Sequence, residues 1–423
     1  MTGSAPRMLL HSGAERFFVF GVCMNDTVKK SRVSLVFADN YERHYVKERV
    51  LRAVELLGGI ERFVSRDEKI LLKPNLLAKA PAEKACTTHP SVFSAVGEIL
   101  LDAGYKKIKY GDSSGGHSRT EPVALACGIA SAAEELGIEM ADFSVGIETK
   151  YDGKCADSFI LCPGILEADA IINICKMKTH MLERITGGVK NLFGAVYGLN
   201  KGAAHVKYPN ADEFAKMMAD LNRMIPPRLH IMDGIVAMEG NGPQSGEATP
   251  MNVVLASDDP VALDSVFCAL VYLDPALVPT NVRGKEWGCG EYLWENIEVV
   301  CEDGVIDVRE AQRRYGRADF DVYRGEEKNE NIRYLKFLSP FLKKKLKVDA
   351  SLCVGCGICV KSCPVDGKAI RMKTARQGKS VPRYDYDKCI KCYCCQEMCP
   401  QKAISLSVPL AQRLTDRNWR FGL

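Results

Sequence analysis

From about residue 31, short apolar runs alternate with longer amphipathic segments. The stretch "RVSLVFA" has the composition of a strand, whereas "YVKERVLRAVELLGGI" spaces its apolar residues as a helix does and ends in glycines. "KILLKPNLL" and "PSVFSAVGEILLDAGY" repeat the pair. The alternation predicts an α/β module with a large, mostly parallel sheet, built as one body or as two lobes.

The pattern changes after residue 320. Residues 321–348 are charged and only loosely amphipathic, which is typical of a linker. Residues 349–406 contain an internal repeat, in which "CPVDGKAIRM" is echoed by "CPQKAISL". The predicted organisation is an N-terminal extension 1–30, the α/β domain 31–320, the linker 321–348, a small α+β ferredoxin-like domain 349–406 and a tail 407–423.

The two runs "CVGCGICVKSCP" and "CIKCYCCQEMCP" both fit C-x2-C-x2-C-x3-C-P, the spacing of bacterial two-cluster ferredoxins. Zinc motifs also repeat CxxC, but they use pairs at longer separations. In such ferredoxins three cysteines of a run bind one cluster and the fourth binds the other. The predicted ligand sets for two [4Fe-4S] clusters are Cys353, Cys356, Cys359 and Cys399, and Cys389, Cys392, Cys395 and Cys363. Cys394 falls outside the spacing.

Composition narrows the class further. The chain has 18 cysteines, which indicates a reducing, oxygen-poor interior such as the cytoplasm, and not a disulfide framework. A net charge of +4 with dispersed basic residues gives no case for nucleic acid. We find no run of the roughly 18 apolar residues that a membrane span needs.

Polar residues cluster where predicted strands of the α/β domain end, which is where ligands bind in open α/β sheets. The first candidates are Lys73 and Asn75 after one strand, and Asp112, Ser113 and Gly115 in the loop "GDSSGGH". Glycines in that loop would let backbone N–H groups approach an anion, although a tight turn with a capping Asp explains it equally well.

The segment "KMKTHMLERITGGVKNLFG" holds the densest candidates. Lys178 and His180 are expected to alternate after a buried strand, so their side chains would share a face, and Lys190 and Asn191 follow a Gly-Gly turn. Lysines and a histidine suit a carboxylate or phosphate, and we predict catalytic roles for Lys178, His180 and Lys190. Solvated surface lysines are the alternative. Glu239, before "GNGPQSG", could bind a ligand or cation, or lie in a simple loop.

These segments together resemble the domain-of-unknown-function 362 family in its form fused to a C-terminal ferredoxin. The matching pieces span residues 32–275 and are "LLKPNLL", "THPSVFSAV", "GDSSGG", "KMKTH", "TGGVKNLFG", "DGIVAMEGNGPQSG" and "LASDDPVALD". The resemblance implies a remote likeness to the fold of the nickel-pincer lactate racemase, in which lysine and histidine hold a pyridinium-derived cofactor. By that likeness, Lys178 and His180 are the positions at which an additional organic or metal cofactor would be sought.

Three functions fit the sequence. In the first, an oxidoreductase, two clusters deliver electrons to a small anionic substrate or cofactor in the α/β domain. In the second, the chain carries electrons or iron-sulfur clusters to a redox partner protein. In the third, it is a redox-neutral isomerase or racemase with structural clusters. The first requires a pocket lined by the polar candidates with a cluster close to it.

Overall fold

A computed structural model describes residues 30–115, 119–198, 200–325, 345–374 and 379–407. The N-terminal extension, most of the predicted linker, the C-terminal tail, and Gly116 and His117 of the "GDSSGGH" loop lie outside these ranges. The strands are β1 Ser31–Phe37, β2 Ile70–Pro74, β3 Ile108–Tyr110, β4 Glu139–Met140, β5 Ile147–Lys150, β6 Ser158–Leu161, β7 Ala170–His180, β8 Arg184–Thr186, β9 Leu229–Glu239, β10 Glu247–Ser257, β11 Ile297–Cys301, β12 Gly304–Ile306, β13 Lys345–Val348, β14 Ile370–Thr374, β15 Ser380–Tyr384 and β16 Ile404–Ser407.

The helices are interspersed among the strands. They are α1 Arg43–Glu55, α2 Pro90–Asp102, α3 Thr120–Ala126, α4 Ile129–Glu135, α5 Pro163–Leu166, α6 Gly188–Asn191, α7 Asn200–Lys207, α8 Ala211–Met224, α9 Pro260–Leu270, α10 Pro279–Trp287, α11 Val308–Tyr315, α12 Ile358–Lys361 and α13 Cys394–Glu397.

Within the described residues, one ten-stranded sheet runs through the large module in the order β12-β11-β1-β10-β9-β7-β2-β3-β4, with β8 paired to β7. Strands β9, β7, β2, β3 and β4 are parallel neighbours, and β1 is parallel to β11. Strand β10 runs antiparallel to both β1 and β9. The predicted α/β class with a mostly parallel sheet is therefore confirmed.

Helices cover both faces of this sheet, because successive side chains of its strands point to opposite sides. On β2, Ile70 and Leu72 pack with α1 and α2, whereas Leu71 packs with α8 on the other face. All eleven residues of β7 are buried. Strand β7 runs to His180, so Lys178 and His180 belong to the strand itself and lie at its carboxyl end.

Helix α9 begins with a capping aspartate followed by a proline. The side chain of Asp259 accepts hydrogen bonds from the backbone N–H groups of Val261 and Ala262, and Pro260 occupies the first turn, where its missing N–H costs nothing. Asp259 therefore caps the N-terminus of α9.

The ferredoxin-like unit has two similar halves. One consists of β13, α12 and β14, and the other of β15, α13 and β16. Strand β13 pairs with β16 and β14 pairs with β15, so each half supplies one strand to each two-stranded sheet. Residues 345–348 lie in β13, which places the end of the predicted linker inside this unit.

The two modules are in direct contact. The side-chain amide of Gln396, which is fully buried, donates to the Oδ1 of Asn241 at 2.8 Å and to its carbonyl oxygen at 3.1 Å. Asn241 in turn donates to the carbonyl oxygen of Ile404. Its neighbour Gly242 lies so close to Thr179 that an added Cβ would come within 2.2 Å of the Thr179 carbonyl oxygen. The loop after β9 is thus held between strand β7 and the ferredoxin-like unit.

Candidate functional site

A cavity of about 350 Å³ lies between the α/β module and the ferredoxin-like unit. It forms where β7, β2 and β3, adjacent in the sheet, reach their carboxyl ends. Seven of the predicted residues line it, namely Asn75, Asp112, Ser113, Gly115, Lys178, Lys190 and Asn191. The ferredoxin-like unit contributes Lys361, Ser362, Cys363, Pro364, Lys368, Cys394, Glu397 and Met398. Sequence segments more than two hundred residues apart therefore share one cavity.

Lys73 lies behind the cavity wall in a buried ion pair. Its Nζ is 2.8 Å from Oδ1 of Asp112, and it donates to the carbonyl oxygen of Asn191 at 2.6 Å. The other carboxylate oxygen of Asp112 accepts from the backbone N–H of Leu76. Gly194 passes so close that a Cβ there would meet the Asp112 carboxylate at 1.7 Å. The pair joins the ends of β2 and β3 to α6 and balances the charge of Asp112.

Lys178 occupies the cavity wall with its amine held in place. Its Nζ donates to Oδ1 of Asn75 at 2.6 Å and to the carbonyl oxygen of Cys86 at 2.7 Å. The Asn75 amide donates to Asn191, which fixes the orientation of its oxygen. Burial lowers the pKa of Lys178 to about 7, so both protonation states are accessible near neutral pH. Two hydrogens of the amine are donated to these acceptors. The protonated amine therefore keeps a third N–H for the cavity, and the neutral amine keeps its lone pair.

Two further lysines contribute to the same wall. Burial lowers the pKa of Lys190, and that of Lys201 falls to about 8 for the same reason. Lys201 donates to the carbonyl oxygens of Ser113 and Ser114. Sequence reasoning missed Lys201, because a lone lysine at the start of α7, in "NKGAAHVK", carries no motif; only the fold brings it to the strand ends.

His180 is buried beside the cavity and contacts the ferredoxin-like unit. Its Nδ1 accepts from the backbone N–H groups of Leu182 and Glu183, so the proton of the neutral ring resides on Nε2. That Nε2 lies 2.9 Å from Oε1 of Glu397. Burial lowers the pKa of His180 to about 4. Burial alone would raise the pKa of Glu397, but His180 and Lys190 outweigh it and lower that pKa to about 2. A neutral histidine therefore faces an ionised carboxylate.

His205 and Thr186 also line the cavity, and sequence reasoning missed both. Each is about 95% buried. Neither Nδ1 of His205 nor Oγ1 of Thr186 has a hydrogen-bond partner within the residues that the structure describes. Buried polar atoms are normally satisfied, so these two atoms are positions at which water or a ligand in the cavity would form a hydrogen bond.

Glu239 lies away from this cavity. Its Oε2 accepts from the backbone N–H of Asp321 at 2.9 Å. Of the loop that follows it, Pro243 reaches the cavity wall. The structure thus brings seven of the ten predicted α/β residues to the cavity, places Lys73 and His180 directly behind it, and leaves Glu239 at a loop contact.

Two small cavities lie inside the ferredoxin-like unit, and each takes in four cysteines. One is lined by Cys353, Cys356, Cys359 and Cys399, and the other by Cys363, Cys389, Cys392 and Cys395. Apolar side chains such as Ile370 and Ile404 complete the walls. Four thiols around an apolar space are the donor set that a [4Fe-4S] cluster takes, so these residues fit the group.

Across the described ranges, no three His, Cys, Asp or Glu side chains are arranged to hold a single metal ion. This arrangement is compatible with cubane clusters, because each thiolate binds a different iron and the four need not converge on one point.

Cys363 borders both the second cysteine cavity and the interdomain cavity. Cys394 lines the interdomain cavity, whereas its neighbour Cys395 faces the cysteine cavity. A predicted iron ligand and the extra thiol therefore both border the space that the lysines enclose.

Fold and site together define an iron-sulfur protein with a ferredoxin-like unit docked on an α/β module. Residues 70–269 match the model of the domain of unknown function DUF362, and residues 352–403 match that of a 4Fe-4S dicluster domain. The chain is 35% identical over 257 residues to a thylakoid-associated protein of Synechocystis, covering 60% of this chain and 79% of that protein. The chain belongs to the DUF362 family.

Further matches are partial. A ferredoxin of Pyrobaculum islandicum is 32% identical over 81 residues, which are 19% of this chain and 70% of that protein. The lactate racemase apoprotein of Thermoanaerobacterium thermosaccharolyticum superposes with a TM-score of 0.37 at 12% identity. That superposition covers 57% of each chain, so this protein spans little more than half of the solved structure. Among the helices that the structure describes, none has the length and apolar character needed to cross a membrane.

Proposed function

We propose that the protein is an oxidoreductase that transfers electrons from two [4Fe-4S] clusters to a small anion bound in the interdomain cavity. The observation that carries the proposal is the composition of this cavity, in which Lys178, Lys190 and Lys201 face the same space as Cys363. When bound, the clusters would supply one-electron transfer. The proposed ligands are the two cysteine sets described above.

The charges of the cavity favour an anion. Five lysines line it, together with two carboxylates. Asp112 is already paired with Lys73, and Glu397 faces His180. Because His180 is neutral, the charge of Glu397 is offset by Lys190. The amines of Lys178 and Lys201 are left to offset the charge of a carboxylate or phosphate in a site where burial strengthens the attraction. His205 and Thr186 supply the hydrogen-bonding positions that such a ligand would satisfy.

The proposed reduction of the anion requires a source of electrons and a source of protons. An external one-electron carrier protein reduces the clusters, and the bound anion is the acceptor. Each electron that reaches the anion adds a negative charge, which a proton from Nζ of Lys178 can neutralise because its pKa lies near 7. Solvent then returns the proton to the amine. Each cycle adds one electron and one proton to the acceptor.

The proposal is tested on protein purified without oxygen. Iron, sulfide, nickel, flavin and retained organic ligand are measured, the clusters are reduced with dithionite, and their reoxidation is followed on adding candidate carboxylates and phosphate esters. We expect about eight irons per chain and faster reoxidation by at least one anion. Lys190→Met should suppress that acceleration, whereas Lys216→Met, on the outer face of α8, should preserve it. Equal reoxidation with and without every anion, in a protein that retains no ligand, would contradict the oxidoreductase proposal.

An electron or cluster carrier remains the second candidate, because Cys356 of the first cysteine set is exposed. A carrier would exchange electrons with a partner protein, retain no small molecule and be insensitive to Lys190→Met. A redox-neutral isomerase would instead turn over at the same rate with oxidised and reduced clusters. The reducing cytoplasm is the compartment we propose; the name of the Synechocystis relative gives thylakoid association for that protein.

A further inference from the structure

The loop that carries Cys353 and Cys356 exposes apolar side chains at the surface. Leu352 is 49% exposed and Val354 is 61% exposed, and Cys356, two residues after Val354, is exposed as well. Resting on the proposed redox function, we infer that the surface formed by Leu352, Val354, Cys356 and Lys379 is where an acidic one-electron carrier protein docks. This surface is called the entry face below.

The entry face is built by close local packing. Gly355 has a φ of +71°, and a Cβ there would lie 3.1 Å from the Ser380 carbonyl oxygen, so the loop is held against the start of β15. Lys379, the residue before Ser380, donates to the carbonyl oxygen of Ala350 at 2.7 Å. Its positive charge is thereby held beside Leu352. Val354 also lines the first cysteine cavity, so one side chain contacts both that cavity and solvent.

Charge distribution decides which partner fits. Residues 345–407 contain twelve Lys and Arg and five Asp and Glu, a formal charge of +7. The whole chain carries +4, so the rest of the molecule carries −3. The acidic group next to the face, Asp349, is occupied by the backbone N–H and hydroxyl of Ser351. A basic unit whose exposed apolar side chains lie beside Lys379 suits an acidic partner, because complementary charge steers encounter and the apolar side chains are desolvated on contact.

The two cysteine sets have different surroundings, and this difference indicates the direction of electron transfer through the unit. The first set reaches solvent at Cys356, whereas the second reaches the interdomain cavity at Cys363. With clusters held by the two sets, an electron that entered at the first set would reach the cavity through the second, at Cys363. The carrier therefore docks away from the lysine wall and leaves it free for the anion.

The test is stopped-flow reduction of the anaerobic holoprotein by a reduced, acidic plant-type [2Fe–2S] ferredoxin, with dithionite as the small-molecule comparison. We expect the second-order rate constant for the ferredoxin to fall as salt rises, since steering is screened over about 10 Å at 0.1 M. Val354→Glu and Lys379→Glu should each lower it about 10-fold at low salt. Val305→Glu, at an exposed valine of β12, is the matched control and should leave it unchanged. Dithionite should reduce all four proteins alike.

Because Val354 borders a cysteine cavity, iron is measured in each variant. If Val354→Glu loses iron, Lys379→Glu, whose position does not border that cavity, decides the outcome. If an iron-replete Lys379→Glu protein is reduced by ferredoxin as fast as the wild type, the docking proposal is wrong. The proposed oxidoreductase function would still stand if dithionite reduces the clusters and an anion accelerates their reoxidation. Clusters that dithionite cannot reduce would instead overturn the proposed function itself.

Discussion

The ferredoxin-like unit and the interdomain cavity obtain their chemistry in opposite ways. The cysteines of the unit come from two runs of twelve residues, and the spacing within each run predicts how the thiols divide between the two sets. Three of the cavity lysines come from β7, α6 and α7 of the α/β module, and the other module supplies the second wall with Lys361 and Lys368. A local motif can be recognised without a fold, whereas a composite cavity exists only after two modules have docked. Each of the following experiments challenges that contrast at one point.

The largest effect is expected from adjacent cysteines. Cys395→Ser should lose about half of the bound iron, because it removes a proposed ligand of one of two clusters. Cys394→Ser should keep the full iron content, since that thiol faces the interdomain cavity. Iron and sulfide analysis with EPR of the reduced protein measures both. Loss of half the iron from Cys394→Ser would show that the spacing does not assign the ligands. The ferredoxin-like unit could then not be interpreted from its local motif alone.

Breaking the ion pair behind the cavity should cost about 3–5 kcal/mol of unfolding free energy, because Lys73→Met leaves the Asp112 carboxylate buried without its partner. The denaturation midpoint of the α/β module, followed by circular dichroism, measures this. Lys207→Met is the control, since its ion pair with Asp157 is exposed and should contribute little. If Lys73→Met shifts the denaturation midpoint no more than Lys207→Met does, water reaches the strand ends and the ion pair does not stabilise the module.

Anion binding should depend on the protonation of the cavity lysines. Affinity for phosphate or oxalate should fall as pH rises from 7 to 9, because Lys178, with a pKa of about 7, and Lys201, with one of about 8, lose their charges. Lys178→Met should weaken binding about 10-fold or more below pH 7, as expected for a charge-assisted hydrogen bond worth about 1.5–3 kcal/mol. Titration calorimetry between pH 6 and 9 checks this. If the mutant and the wild type bind equally at every pH, the cavity is not the anion site.

The smallest effect concerns the contact between modules. Gln396→Ala removes donors to Asn241 and should weaken docking by about 1 kcal/mol. Hydrogen exchange at residues 240–243 should accelerate several-fold. Gln401→Ala, an exposed glutamine of the same unit, should not alter it. Unchanged exchange in Gln396→Ala would indicate that other contacts, such as Lys402 with Glu247, hold the modules together.

Much of the fold was predictable because its signals are local. Strands β2 and β7 are continuous apolar runs, as parallel strands covered on both faces are, and Asp259 before Pro260 marks the start of α9. Polar residues at strand ends gave most of the α/β side of the cavity. Lys201 and His205 were missed because nothing near them in the sequence distinguishes them from ordinary helix residues, and Thr186, although it begins "TGGVKNLFG", was missed because a single threonine in a strand carries no chemical signal of its own.

Sequence alone determined the parts whose chemistry depends on short spacing, which are the two cysteine runs, the alternation of strands and helices, and the family. The tertiary structure decided which polar side chains are available for binding. It places Lys73 in a buried pair with Asp112, holds His180 as a neutral ring against Glu397, and leaves Lys178 on a cavity wall with its pKa near 7. These outcomes depend on burial and on partners that are distant in the sequence, because desolvation and charge pairing are properties of the folded environment and not of the residue type.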